Sequence, residues 1–171
     1  MFDVHVHSAP DIIDRIGHDD DIARFYCDAE FTGFVLKAHH ESTIGRAKAV
    51  ARATGLRVVG GIVLNRHTGG VNPDAVAAAL FSGGRVVWFP TTDSHTQETA
   101  GLPRLCDHDS RLSRSVLSIE DDPVFDKKVD VILDLVAEAD ALLCTGHLDA
   151  AECRWLFERA SARGVRRFLL T

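Results

Sequence analysis

The chain has 171 residues, is 46% hydrophobic and carries a net charge of −6, from 19 Lys and Arg against 25 Asp and Glu. That length and apolar share support one core, so residues 1–171 read as a single folded domain and disorder is excluded. Both signs of charge are scattered with no basic run, which argues against a nucleic-acid partner. No leader pattern and no run of about eighteen apolar residues is present, so a membrane partner is not expected and the reading is cytoplasmic. Cys27, Cys106, Cys144 and Cys153 form no CxxC pair, and all four read as reduced, with Cys27, Cys144 and Cys153 in apolar patterns.

The first strand is Phe2-Asp3-Val4-His5-Val6-His7, stopped by Ala9-Pro10. Side chains alternate along a strand, so Asp3, His5 and His7 are expected on one face, with Phe2, Val4 and Val6 facing a layer of helices. Asp11, Asp14 and Arg15 read as a solvated loop. His18 to Glu30 has apolar residues at helical spacing behind Asp19, Asp20 and Asp21, which suit the positive end of a helix. A second strand, Gly33 to His40, ends in Lys37-Ala38-His39-His40. Ser42 or Thr43 can cap the helix that runs to Gly55.

Arg57 to Leu64 is the third strand. Asn72-Pro73 then caps a third helix, which closes at Gly83-Gly84. Arg85 to Phe89 is the fourth strand and leads into Pro90-Thr91-Thr92-Asp93-Ser94-His95. From Gln97 to about Asp122 no clear helix is expected, only a strand-like Ser115 to Ile119, and an excursion of that length reads as a lid or as disorder. Pro123 opens a helix with Val129, Ile132, Leu133 and Val136 on one face. Ala141 to Cys144 is the fifth strand, Asp149 and Glu152 form a capping box, and Arg167 to Thr171 is the sixth strand.

Six strand-then-helix units without hairpin signals predict a parallel sheet with right-handed crossovers. No GxGxxG or Walker pattern follows any strand, which removes the commonest reason to prefer a nucleotide-binding open sheet. The expected fold is α/β, a TIM-like (β/α) barrel, incomplete, with about six parallel strands and the helices outside.

Seven of the nine histidines, His5, His7, His39, His40, His67, His95 and His147, fall at or just beyond the carboxyl end of a strand. In parallel α/β folds those ends share one face, which carries the active site. Strand parity puts Lys37 with His39, and Leu143 and Thr145 with His147, so His5, His7, His39 and His147 converge while His40 points outward. Four imidazoles around one point suit a transition metal, with zinc first and manganese or iron as alternatives. Lys37, inward among them, is prone to lose its proton or to be carboxylated, or else pairs with Glu41. Asn65 and Arg66, beside Gly69-Gly70, either hold an anionic part of a substrate or form an ordinary turn. Thr91 and Asp93 face the mouth as substrate contacts, and Trp88 reads as wall packing.

The Asp-Val-His-Val-His opening, Leu36-Lys37-Ala38-His39, and Thr145-Gly146-His147 resemble the metal-dependent hydrolases of the amidohydrolase and polymerase-and-histidinol-phosphatase groups. Together with Gly60-Gly61-Ile62-Val63-Leu64-Asn65, Gly69-Gly70-Val71-Asn72-Pro73 and Val87-Trp88-Phe89-Pro90-Thr91, they resemble more closely an amidohydrolase-like family without an assigned substrate. The resemblance implies a TIM-like barrel whose first-strand HxH binds metal with later histidines to activate water. It departs at strand four, where relatives carry a bridging Lys or Glu and this chain has Phe89-Pro90-Thr91, leaving Lys37 as the substitute. Relatives also take a base from an eighth strand. From these residues the base would be Asp93, His95 or Lys37.

The expected function is therefore a metal-dependent hydrolase acting on a C–N, C–O or P–O bond of a small-molecule substrate. The alternative is a metal-assisted lyase, decarboxylase or isomerase, or a degenerate binding barrel. A complete barrel needs about 250 residues, so the chain reads as part of a longer protein, and the resemblance implies a His next. Open first and last strands make a homo-oligomer the expected state.

Overall fold

The computed structural model describes residues 1–119 and 123–171. Its six strands are β1 (Phe2–Val6), β2 (Gly33–Leu36), β3 (Arg57–Val63), β4 (Val86–Trp88), β5 (Leu142–Cys144) and β6 (Phe168–Leu169). They lie in sequence order, and each pairs in parallel with the next. The sheet curls into a half-barrel with helices around its outside, as the repeating strand-then-helix pattern predicts. The helices are α1 (Asp19–Asp28), α2 (Ile44–Thr54), α3 (Pro73–Phe81), α4 (His95–Thr99), α5 (Pro123–Glu138) and α6 (Ala150–Ala162).

The concave face is a small apolar cluster of Val35, Val63, Val86, Trp88 and Cys144, with Phe2, Val59, Leu142 and Leu169 against it. Trp88 fits because Gly61 beside it has no side chain: a Cβ there would stand 2.7 Å from the indole and 2.1 Å from the Val86 carbonyl oxygen. The convex face is covered in two parts. Val6, Phe34 and Leu36 pack on α1 and α2 through Ala23, Tyr26, Ala47 and Val50. Ile62, Leu64, Val87, Phe89 and Leu143 pack on α3, α5 and α6 through Val76, Val129, Ile132, Leu133, Val136 and Leu156.

The local stop and start signals appear where the residues place them. Gly55 caps α2 with φ of 77°, Asn72 accepts from the Asp74 N–H before Pro73, and Asp149 with Glu152 forms the capping box of α6. At the start of α2 the cap differs. The Thr43 hydroxyl makes no cap bond, and instead donates to the Leu36 carbonyl at 2.7 Å and accepts from the Gly61 N–H at 3.0 Å, bracing β2 on β3.

Strict alternation fails in β1. Asp3 aligns with Phe34 and Val6 with Leu36, so β1 advances three residues where β2 advances two. This is a bulge, which flips the faces that follow it. Phe2 therefore faces the concave cluster, and Asp3 faces α1, where it accepts from the Tyr26 hydroxyl at 2.7 Å. Asp3 is not a neighbour of His5 and His7 on their face.

The expected loop of Asp11, Asp14 and Arg15 is solvated only at Asp14. The Asp11 side chain is 1% exposed and paired with Arg15 at 2.6 Å. Arg46 of α2 holds the same loop by binding Asp19 at 2.6 Å and the carbonyls of Ser8, Ala9 and Pro10. Cys27 is exposed on α1 rather than buried, while Cys106 and Cys144 are buried, and all four thiols are free.

The excursion after β4 is more ordered than its sequence suggests. It contains α4 and a 3-10 turn at Leu105–Asp107. The stretch Ser115 to Ile119 makes one isolated bridge, Ser94 to Leu117, rather than a strand. Its end, residues 120–122, lies outside the described residues. No described helix is long and apolar enough to cross a membrane.

Candidate metal centre at the mouth of the half-barrel

From the β1 bulge and just past it, His5 and His7 both reach the mouth, and their Nε2 atoms stand 3.2 Å apart. Two nitrogens bound to one zinc at about 2.0–2.1 Å and a tetrahedral angle are separated by roughly 3.3 Å, so the pair is spaced as two ligands of one ion would be. Lys37 Nζ lies 3.3 Å from the same His5 nitrogen. The His39 ring stacks on His7 at 4.7 Å between centroids, and the His147 ring stands edge-on to His39 at 6.0 Å. The structure thus brings the four rings to one mouth, but among the described residues no three of their donor atoms lie within 4.8 Å of one another.

His147 arrives by a different route from strand parity. Leu143 packs on the helices and Cys144 faces inward, which would send the alternation the wrong way. Gly146, at φ of 63°, turns the chain, and the His147 N–H bonds the Pro90 carbonyl at 2.9 Å. Only glycine passes there: a Cβ would be 2.1 Å from the Phe89 oxygen and 2.5 Å from that of Pro90.

Burial, and then the nearby Lys37 cation, hold all four rings in the neutral form that a metal requires. His5 and His147 are pushed down to about 4, His7 to about 3 and His39 to about 2. The outer nitrogens of two rings have partners: His39 Nδ1 meets Thr91 Oγ1 at 2.8 Å, and His147 Nδ1 meets Gln97 Oε1 at 2.9 Å. A second hydrogen bond of this kind fixes which nitrogen is left for a metal. His7 Nδ1 is buried without a hydrogen-bond partner among the described residues.

Lys37 is 1% exposed. Burial pushes its amine down to about 8, and it sits 5.6 Å above the Trp88 ring. Glu41, the carboxylate that could have paired with it, is bound by Arg46 instead. Next to it the buried Cys144 thiol is pushed up to about 12 and stays protonated.

The remaining candidates lie in other networks. Asn65 is fully buried. Its amide donates to the His39 carbonyl at 3.0 Å and to Thr91 Oγ1 at 2.7 Å, and its oxygen accepts from the Thr91 N–H at 2.8 Å. Asn65 and Thr91 therefore tie the ends of β2, β3 and β4 together beneath His39. Arg66 is exposed and donates to the Ser115 carbonyl at 2.9 Å. Asp93 accepts from the Arg66 N–H at 2.7 Å and faces His67 at 3.8 Å.

His40 is not turned outward to the helices. Its ring lies tilted against His67 at 4.5 Å between centroids and approaches Asp11 at 3.3 Å, on the rim beside His39. His95 faces Asp149 at 3.4 Å and Glu152 at 3.6 Å. Neither Asp93 nor His95 bonds any of the four converging imidazoles.

Among the described residues, His95, Asp149 and Glu152 are the group whose three donor atoms all lie within 4.8 Å of one another. His5 and His7 thus form a two-nitrogen half-site flanked by the rings of His39 and His147. The two carboxylates of the other group already accept four backbone N–H bonds, from Ala151, Glu152, Asp149 and Ile119. They also sit at the positive end of α6, which opposes a cation. They are a helix cap that the sequence announced.

Gln97 is the residue of this centre that sequence reading missed. A glutamine in a segment without periodicity carries no signal, because its role depends on contacts made only in the fold. Comparison with curated proteins gives no match. Residues 1–171 match the model of DUF6282, described as a family of unknown function, and the chain belongs to that family.

Proposed function

We propose that this chain is a metal-dependent hydrolase for a small-molecule substrate, of the amidohydrolase type. The observation that carries the reading is the 3.2 Å approach of His5 Nε2 and His7 Nε2, the spread of two ligands on one zinc ion. The neutral state of the rings and the partners on the outer nitrogens of His39 and His147 support it. His5 and His7 would hold the ion, with His147 and His39 as the next ligands, and zinc suits this nitrogen-rich set better than magnesium or calcium, with manganese or iron as alternatives. The bound ion would lower the pKa of a water and polarise the bond attacked.

Lys37 is a proton carrier in contact with His5. Its cation can steer an anionic group or a hydroxide toward the ion, and its buried amine can accept a proton near neutral pH. Asp93 and His95, bonded elsewhere, are weaker candidates for the base. Arg66 at the rim is the candidate for an anionic part of the substrate. The protein would act in the cytoplasm, as a homo-oligomer.

The 3.3 Å approach of Lys37 Nζ to His5 Nε2 favours a second reading, in which Lys37 moves a proton in a metal-assisted lyase, decarboxylase or isomerase reaction. Titration with zinc after chelation tests the shared part: about one ion per chain is expected, with a raised melting temperature, and His5→Ala or His7→Ala should abolish both. No zinc, manganese or iron binding would sink both readings. A panel of amides, lactones and phosphoesters in ¹⁸O-water then separates them, since only hydrolysis places the label in the product.

A further inference from the structure

The short helix α4 grips His147 from two sides. Thr96 Oγ1 bonds the His147 carbonyl, and Gln97 Oε1 meets His147 Nδ1 at 2.9 Å. The Gln97 side chain is held in turn, because its Nε2 donates to the Pro103 carbonyl at 2.9 Å. A carbonyl oxygen only accepts, so this bond fixes the carboxamide with its own oxygen toward His147. An amide oxygen also only accepts, so the proton between Gln97 and His147 belongs to His147 Nδ1. The lone pair of the neutral ring is then on Nε2, which has no hydrogen-bond partner among the described residues.

We infer that Gln97 is a positioning residue that sets the tautomer of His147 and so presents its Nε2 as a metal ligand. The inference rests on the metal reading above for its purpose and on the Pro103–Gln97–His147 chain for its geometry. The excursion after β4 thereby acquires a role, since α4, capped by Ser94 through the Gln97 N–H, carries the outer partner of an imidazole that the β5 end supplies. Gln97 is 6% exposed, so water does not replace it freely.

The test reads the ring directly. ¹⁵N-labelled histidine spectra of the metal-free protein near pH 8 should show His147 with its proton on Nδ1. Gln97→Met, of similar length and without an acceptor oxygen, should move the proton toward Nε2 and weaken zinc binding by about 10–100-fold. In a His147→Ala background, Gln97→Met should cost no further zinc affinity, whereas a purely structural role would weaken both backgrounds alike. The proton found on Nε2 in the parent protein, or a tautomer unmoved by Gln97→Met, overturns the inference. The parent spectrum decides even if the variant fails to fold. If the parent binds no zinc, the hydrolase reading falls while the tautomer result still stands by itself.

Discussion

Asp3 Oδ1 accepts the backbone N–H of His5 at 2.9 Å, while Asp3 Oδ2 takes the Tyr26 hydroxyl at 2.7 Å. One carboxylate thus satisfies the extra residue of the β1 bulge and anchors the strand to α1. Burial and the neighbouring Asp3 push the Tyr26 phenol up to about 12, so it stays a donor throughout the stable range. Asp3→Ala should cost about 1–3 kcal/mol by urea unfolding, the usual penalty for an orphaned donor. It should also lower zinc affinity, because the bulge is what turns His5 inward. Tyr26→Phe should cost less and leave zinc binding intact. Equal zinc affinities in all three proteins would show that the bulge persists without Asp3.

Acid should weaken the fold earlier than carboxylate chemistry alone would. A histidine whose folded pKa lies below its ordinary 6.5 takes up its proton first in the unfolded chain. His5 and His147, at about 4, His7, at about 3, and His39, at about 2, therefore contribute full stability above about 6.5 and lose it progressively as pH falls. Ion pairs such as Asp11–Arg15 fail only below the ordinary carboxylate value of 3.8, since Asp11 is held lower still. Urea midpoints should fall between pH 7 and about pH 5. A flat profile over that range would mean the rings are solvated.

Lys37 pushes down each of the four converging imidazoles by its charge. Removing that cation with Lys37→Met should raise all four titrations toward 6.5 without restoring them, because burial, the larger cause, remains. NMR titration of the histidines reads this directly. Unchanged values would mean that Lys37 is already neutral in the parent, as a deprotonated or carboxylated lysine would be.

Asn65 joins three strand ends through one carboxamide. Asn65→Leu keeps the volume and orphans the buried Thr91 N–H, so the loss should be at least about 2 kcal/mol. His39 should lose order with it, seen as a broadened ring signal. A loss under about 0.5 kcal/mol would show that the strand ends hold without this brace.

What could be read from the chain divides by the range of the interaction responsible. Gly55, Asn72-Pro73 and the Asp149/Glu152 box act within one turn of helix, so their residues announce them. The four converging histidines were legible because parallel strands end on one face whatever their exact register. The β1 bulge is not, since a period of two carries no mark of an inserted residue, and the same alternation puts Asp3 on the wrong face. His147 reaches the mouth against the parity that Leu143 sets, because Gly146 turns the chain. The order of the excursion depends on distant partners, Arg66 to the Ser115 carbonyl and Glu152 to the Ile119 N–H, which no local pattern contains.

Each strand pairs with the one next to it in the chain, and this sets an order of assembly. Short sequence separations favour rapid closure, so the sheet can grow outward from any early β–α–β unit by adding one strand at a time. The four imidazoles come from opposite ends of that growth: His5 lies in β1 and His7 just after it, His39 follows β2, and His147 follows β5. Three of the four imidazoles can therefore come together with the first two units, while His147 must wait for α5 and β5 to dock. An ion captured early by His5 and His7 would wait with the nascent sheet, and its final grip would register that the far side had arrived.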